Sequence, residues 1–437
     1  MAEKPSRAYA KPILAIFIAL MAAAVGVIAA VPDRSAPTEA AAVSSAAPFA
    51  AQIALQRQQL DRLPGNATGW AELGAAYVEL ARVTGDPRNY GEARRALDRS
   101  MELRPNENAD ALFGLGVLAN ALHDFAAARS YGERVLALRP DSAEAYGVLA
   151  DALTQLGAAD AATAAVQRML DLRPGVPSFT RAAYDLELRG RTDEARQAMQ
   201  RALAAATTAD QIAFCRYHLG ELAFHAGNLD EAENHYRSGL SAVPDDAALR
   251  QGGAKVLAAR GATEQAITQY RELTGRAPLP EYLIEFGELL ESAGRRDEAD
   301  DTYREIADRF RELEAQGATD YVAAALFAAD HGDPAEAVRL ARTEFGRRQS
   351  VVTADVLAWS LHRAGRHEEA LGYAERAAAL GWRNATVTYH RGMILAALGR
   401  TAQAAAALDE ALRTNPHFSP LHAPRARRAL ETLGAAP

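Results

Sequence analysis

His218, Glu221 and His225 lie at i, i+3 and i+7, a spacing that puts two imidazoles and a carboxylate on one face of a helix. Such groups could hold a divalent metal ion, with His235 as a fourth ligand from a partner helix. The same side chains serve equally well as ordinary groove or surface residues, so a metal or small-ligand receptor centred on them is one alternative. A zinc-protease reading fails on spacing, because His367-Glu368-Glu369 lacks the second histidine of H-E-x-x-H. Cys215 is the single cysteine, so no intramolecular disulfide and no C-x-x-C site can form. Set among Phe214, Tyr217 and Leu219, it reads as a buried, inert thiol. The chain carries no G-x-x-x-x-G-K-[ST] loop, no G-x-G-x-x-G after a strand and no G-x-S-x-G elbow. Neither an enzyme nor a resident cofactor is expected.

The elements that would position these groups recur with a period of about 34 residues, the mark of stacked helical hairpins. Trp70, Leu73, Gly74 and Tyr77 spell W-x2-LG-x2-Y, and the closing prolines Pro105, Pro140 and Pro174 fall at nearly equal intervals of that period. Gly74, Gly116, Gly220, Gly287 and Gly392 stand in first helices where a side chain would block the neighbouring helix. Ala128, Ala162, Ala232 and Ala404 play the same part in second helices, beside the space-filling Tyr236, Tyr270 and Tyr303. Turn glycines are expected at Gly157, Gly190, Gly227, Gly261, Gly294, Gly332, Gly365 and Gly399. Ten hairpins of unequal quality fill residues 66–417. The first has seven extra residues around Thr84–Asn89, and a helix running on through 307–318 is expected to bend the array.

These signature residues resemble the tetratricopeptide repeat family. The resemblance implies an all-α, right-handed superhelical solenoid of helix-turn-helix repeats whose concave face binds proteins or peptides. Aromatic and acidic residues alternate on the wall expected to be concave: Phe113, Asp151, Tyr184, Tyr217, Glu221, Phe224, Lys255, Glu288, Glu291, Trp359 and Tyr389. They suit a partner segment with apolar anchors and Lys or Arg. Some of these aromatics can instead pack between repeats. Where chaperone-binding members of the family carry a Lys/Asn clamp for a terminal carboxylate, this chain has Ala71 with Ala75, Phe113 with Val117 and Gly147 with Asp151. That specificity is not carried over.

Ahead of the repeats, Lys4, Arg7 and Lys11 precede an uncharged apolar run, 13–31. At about 1.5 Å per residue the run reaches roughly 28 Å, close to a bilayer's hydrocarbon thickness. A transmembrane anchor is expected, with 1–12 as a cytoplasmic tail; a cleaved signal peptide ending near Ala29-Ala30 is the rival. Either places the C-terminal part outside the cytoplasm, in a bacterial envelope. Residues 32–48 read as a flexible linker, 49–65 as a leading helix and 418–437 as a capping helix bearing Arg425, Arg427 and Arg428. With 48 Lys and Arg against 56 Asp and Glu, net −8, nucleic acid is not an expected partner. The chain thus reads as a membrane-tethered, non-catalytic scaffold, or alternatively as an assembly chaperone for cytochrome or envelope-complex maturation.

Overall fold

A computed structural model of the chain describes residues 39–84, 86–315 and 320–434. Within these residues the chain forms 22 helices, of which α1 (Glu39–Arg62) leads and α22 (His422–Gly434) closes. Between them lie ten helical hairpins. The first five are α2/α3 (Ala67–Thr84, Arg88–Leu103), α4/α5 (Ala109–Ala121, Phe125–Leu138), α6/α7 (Ala143–Gln155, Ala159–Leu172), α8/α9 (Val176–Leu188, Thr192–Ala205) and α10/α11 (Ala209–His225, Leu229–Ala242). The rest are α12/α13 (Ala247–Ala259, Thr263–Arg276), α14/α15 (Pro280–Ser292, Arg296–Ala315), α16/α17 (Tyr321–His331, Pro334–Arg347), α18/α19 (Val351–Arg363, His367–Ala378) and α20/α21 (Ala385–Ala397, Thr401–Thr414).

The packing follows from residue size. A Cβ on Gly220 would stand 2.3 Å from the Tyr236 ring, and one on Gly252, in the next first helix, 2.5 Å from the same ring. Tyr236 is therefore a wedge seated between two first helices that only glycine lets approach. Leu97 plays that part against Gly74 and Gly114, and Leu408 against Gly392. Ala128, Ala162, Ala232 and Ala404 are each at most 1% exposed. First helices start on side chains that accept a backbone N–H, among them Asn108, Ser142, Thr208, Asp246, Asp320 and Ser350. The expected turn glycines take positive φ except Gly332, whose φ is −132°; there Asp333 caps α17 and Pro334 starts it.

One boundary differs from the sequence expectation. The linker was expected to reach 48, but α1 already begins at Glu39, in an alanine-rich stretch of high helix propensity. Seven extra residues in the first hairpin lengthen its helices: α2 has 18 residues and α3 16, against 13 and 14 for α4 and α5. The long α15, of 20 residues, does not interrupt the core, because Ile306, Phe310 and Leu313 pack in one cluster with Ala325 and Phe327 of α16. The expected tail, anchor and most of the linker lie outside the described residues, within which no helix is long and apolar enough to cross a membrane.

The array also touches itself far along the chain. Arg348 donates to the Gln155 side chain (3.3 Å), and Asn415 Nδ2 donates to the Phe224 carbonyl (2.8 Å), bonds that span 193 and 191 residues of sequence. A Cβ on Gly157 would meet the Gln349 carbonyl at 2.5 Å, and one on Gly190 the Gly381 carbonyl at 2.2 Å. The hairpin turns of α6/α7, α8/α9 and α10/α11 thus rest on the connections that follow α17, α19 and α21.

Candidate functional site

First helices form one wall, and α14 shows how the sequence arms it. Glu281, Glu285 and Glu288 fall at i, i+4 and i+7, so all three face the same way. With Phe224 of α10, Lys255 of α12 and Asp330 and His331 of α16 they line a cavity of about 480 Å³. The facing side is the chain's own C-terminal segment, including Phe418, His422 and Arg427. The helix expected as a terminal cap is therefore also a roof over the wall. From α22, Arg425 reaches Glu291 of α14 (3.3 Å), while His422 faces Asp330 of α16 (3.6 Å) and stacks on Tyr389 of α20 (5.2 Å).

Polar pairs run from repeat to repeat along this wall. Lys255 donates to both Glu221 oxygens at 2.7 Å, Tyr236 donates to Glu221 at 2.6 Å, and Lys255 sits 5.0 Å from the centre of the Phe224 ring. Burial alone would raise the Glu221 pKa, but Lys255, His225 and these hydrogen bonds outweigh it and hold the carboxyl at about 2. Gln251 and Tyr270 donate to Glu285, whose pKa burial raises nonetheless. Burial pushes Glu281 up to about 7, and Asp320 and Glu285 add to the effect. Asp330 accepts from the Trp359 indole N–H (3.1 Å). Burial would raise Asp330 too, but His422, His390 and His331 overcome that and lower it to about 2.

The proposed metal ligands do not converge. Glu221 is engaged by Lys255 and Tyr236, His225 stands 3.9 Å from it and 3.7 Å from Glu187, and His218 packs on Phe214 (4.4 Å). His235 turns to Arg216 (3.2 Å). Among the described residues no group of three His, Cys, Asp or Glu could hold a metal ion. An ammonium, that of Lys255, stands where the sequence suggested a metal.

The expected groove residues divide into several environments. Phe224 and Glu288 line the cavity. Trp359 and Tyr389, each 1% exposed, are core: Trp359 stacks on His390 (4.1 Å) and Tyr389 on His422, so they support the site from behind. Asp151 is closed off by a two-point pair with Arg181 (2.9 and 2.7 Å). Phe113 is half-buried against the N-terminal core that includes Tyr77, Leu97 and Leu115. Tyr217 and Tyr184 are half-buried and lie outside the cavity lining, their hydroxyl pKa values raised by burial. Cys215 is fully buried, which pushes its thiol up to about 12. Sequence reading missed Glu281, Glu285, Asp330, His331 and the C-terminal roof. A usable signal existed, since wall partners sit one repeat apart: Glu221 with Lys255, Gln251 with Glu285, and Asp355 with His390.

Comparison with known proteins bears on the repeats. Sequence models described as tetratricopeptide repeat match residues 119–182, and 78–142, 180–247 and 356–420, together more than half of the chain. No curated protein matches the chain. Among solved structures it is similar to a thermophilic tetratricopeptide repeat protein of Thermus thermophilus, with 25% identity and a TM-score of 0.39 over 44% of this chain and 98% of that one. A tetratricopeptide repeat protein of Parabacteroides merdae aligns at 18% identity and TM-score 0.35 over 59% and 98%. PilW, a type IV pilus biogenesis factor, aligns at 19% and 0.39 over 47% and 94%.

Proposed function

The chain belongs to the tetratricopeptide repeat family, and from that premise we propose that it is a non-catalytic scaffold whose first-helix wall binds partner segments rich in apolar residues and Lys or Arg. Proteins of this family generally mediate protein–protein interaction. One observation carries the finer reading: the wall already holds a basic helix, the chain's own α22, with Arg425 on Glu291 and His422 between Tyr389 and Asp330. A helix that docks in this way displays the chemistry a partner would reproduce. In this reading the solenoid follows a right-handed path, and the apolar run 13–31 tethers it to a membrane with the array outside the cytoplasm.

Crosslinking of the full chain in its native host, followed by mass spectrometry, tests the partner. Partners captured by the native chain are expected to be lost with the charge-reversed pair Glu288→Arg, Glu291→Arg; an unchanged capture profile would sink concave-face binding. Protease added to intact spheroplasts is expected to digest the array, and its survival would remove the extracytoplasmic placement.

A further inference from the structure

The cavity between α14, α16 and the C-terminal segment is lined by more acids than permanent cations. Five carboxylates line it, those of Glu281, Glu285, Glu288, Asp320 and Asp330, against two permanent cations, Lys255 and Arg427. Both cations are committed elsewhere: Lys255 is bound to Glu221, and Arg427 donates to the Pro416 carbonyl at 2.5 Å. Three of the acids are also served, Glu285 by Gln251 and Tyr270, Asp320 by the first turn of α16, and Asp330 by the Trp359 indole.

Two acids remain under-served. Glu281 has a buried oxygen with no hydrogen-bond partner, and Glu288 is met only by His331 Nε2 at 3.5 Å. That Nε2, on a side chain 6% exposed, makes no hydrogen bond either, and the same is true of His422 Nε2 on a side chain 7% exposed. His331 stands between two acids, its Nε2 toward Glu288 and its Nδ1 3.8 Å from Glu291. Acceptors thus wait at both ends of one helix face, two turns and about 10 Å apart along the axis. Besides Glu285, already engaged by Gln251 and Tyr270, the lining includes the apolar Ile284, Val322, Leu326 and Phe327.

We infer that this cavity is a binding site for a linear aliphatic diammonium, one charged end at Glu288, the other at Glu281, and the methylene chain along Ile284 and Leu326. An ammonium offers three N–H donors and a unit positive charge, matching carboxylates with few other partners, whereas an anion or a neutral polar molecule would leave the acids uncompensated. Cavities of a few hundred Å³ with an apolar lining and a few fixed polar groups are the usual form of small-molecule sites. This ligand is additional to the partner segment and does not depend on it.

Calorimetric titration of the full chain with 1,5-diaminopentane tests the inference. The diamine is expected to bind at least tenfold more tightly than n-pentylamine, with 1,5-pentanediol giving no measurable binding and 1,3-diaminopropane, too short for both ends, matching the monoamine. These comparisons need no variant, so they stand even if a substitution unfolds the chain. Glu281→Gln and Glu288→Gln are each expected to reduce diamine affinity to the monoamine level, while Glu264→Gln, on the outer surface, leaves it unchanged. Equal affinity for diamine and diol, no heat at millimolar diamine, an equal response to magnesium ions, or indifference to both cavity substitutions would overturn it. Loss of diamine binding with partner capture intact would fall on this inference alone.

Discussion

Glu281 shows how a single buried group makes the fold sensitive to pH. Its carboxyl is held at about 7 mainly by burial, far above the ordinary 4.5. Between those two values the unfolded chain has released its proton while the folded chain keeps it, so stability falls as pH rises through this window. The contribution is fully present below about pH 4.5 and lost above about pH 7, an amount of about 3 kcal/mol. Glu281→Gln, which cannot ionise, is therefore expected to raise the melting midpoint at pH 8, with the gap to the native chain closing below pH 5. Equal midpoints at pH 8 would show that the side chain meets water there. Tyr236 sets a different residue-scale limit, because Gly220 leaves no room for even one carbon beside its ring. Gly220→Ala is expected to cost about 1–3 kcal/mol by overpacking, measured by denaturant unfolding.

At the scale of elements, α22 is held against the wall by contacts that ignore the repeat. Ala423 and Ala426 are at most 2% exposed, Leu430 packs in the C-terminal cluster, and Arg425 reaches Glu291. Arg425→Glu would set like charges together and is expected to loosen α22, read as faster limited proteolysis after Arg427 and Arg428 with the hairpins still protected; an unchanged cleavage rate would mean the apolar face alone holds the helix. The contrast with the hairpins explains what a sequence can display. Gly74, Gly220 and Ala232 were legible because each repeat imposes the same close approach at the same interval, so their spacing carries the geometry. α22 was legible as a helix but not as a roof, since its partners Glu291 and Asp330 lie far back along the chain, in α14 and α16, with no period linking them to it. Trp359 and Tyr389 were misplaced for a related reason: an aromatic on a first helix serves wall or core according to a small rotation that spacing does not encode, and the indole N–H found a buried acceptor in Asp330. The acidic wall was half legible, because Glu221 and Lys255 are one repeat apart while Glu281 gains its character from burial alone.

At the scale of the whole molecule, the self-contact changes how the array should unfold. In an open solenoid each repeat touches only its neighbours, so stability is a sum of local terms and ends can fray independently. Here the turns at Gly157, Gly190 and Gly227 meet residues near Gln349, Gly381 and Asn415, so early repeats brace late ones. Gly190 and Gly261 separate this seam from local backbone strain. Both have positive φ, +68° and +77°, so alanine at either pays a similar left-handed penalty of about 1 kcal/mol. Only at Gly190 would the new Cβ also strike a distant backbone, the Gly381 carbonyl at 2.2 Å, whereas nothing lies within 4 Å of one at Gly261. Gly190→Ala is therefore expected to destabilise the chain more than Gly261→Ala and to lower amide-exchange protection in α18 and α19, which lie five hairpins further along the chain. Matching losses for the two substitutions, with α18 and α19 equally protected in both, would mean that the seam is contact without coupling and that the chain unfolds as an ordinary open array.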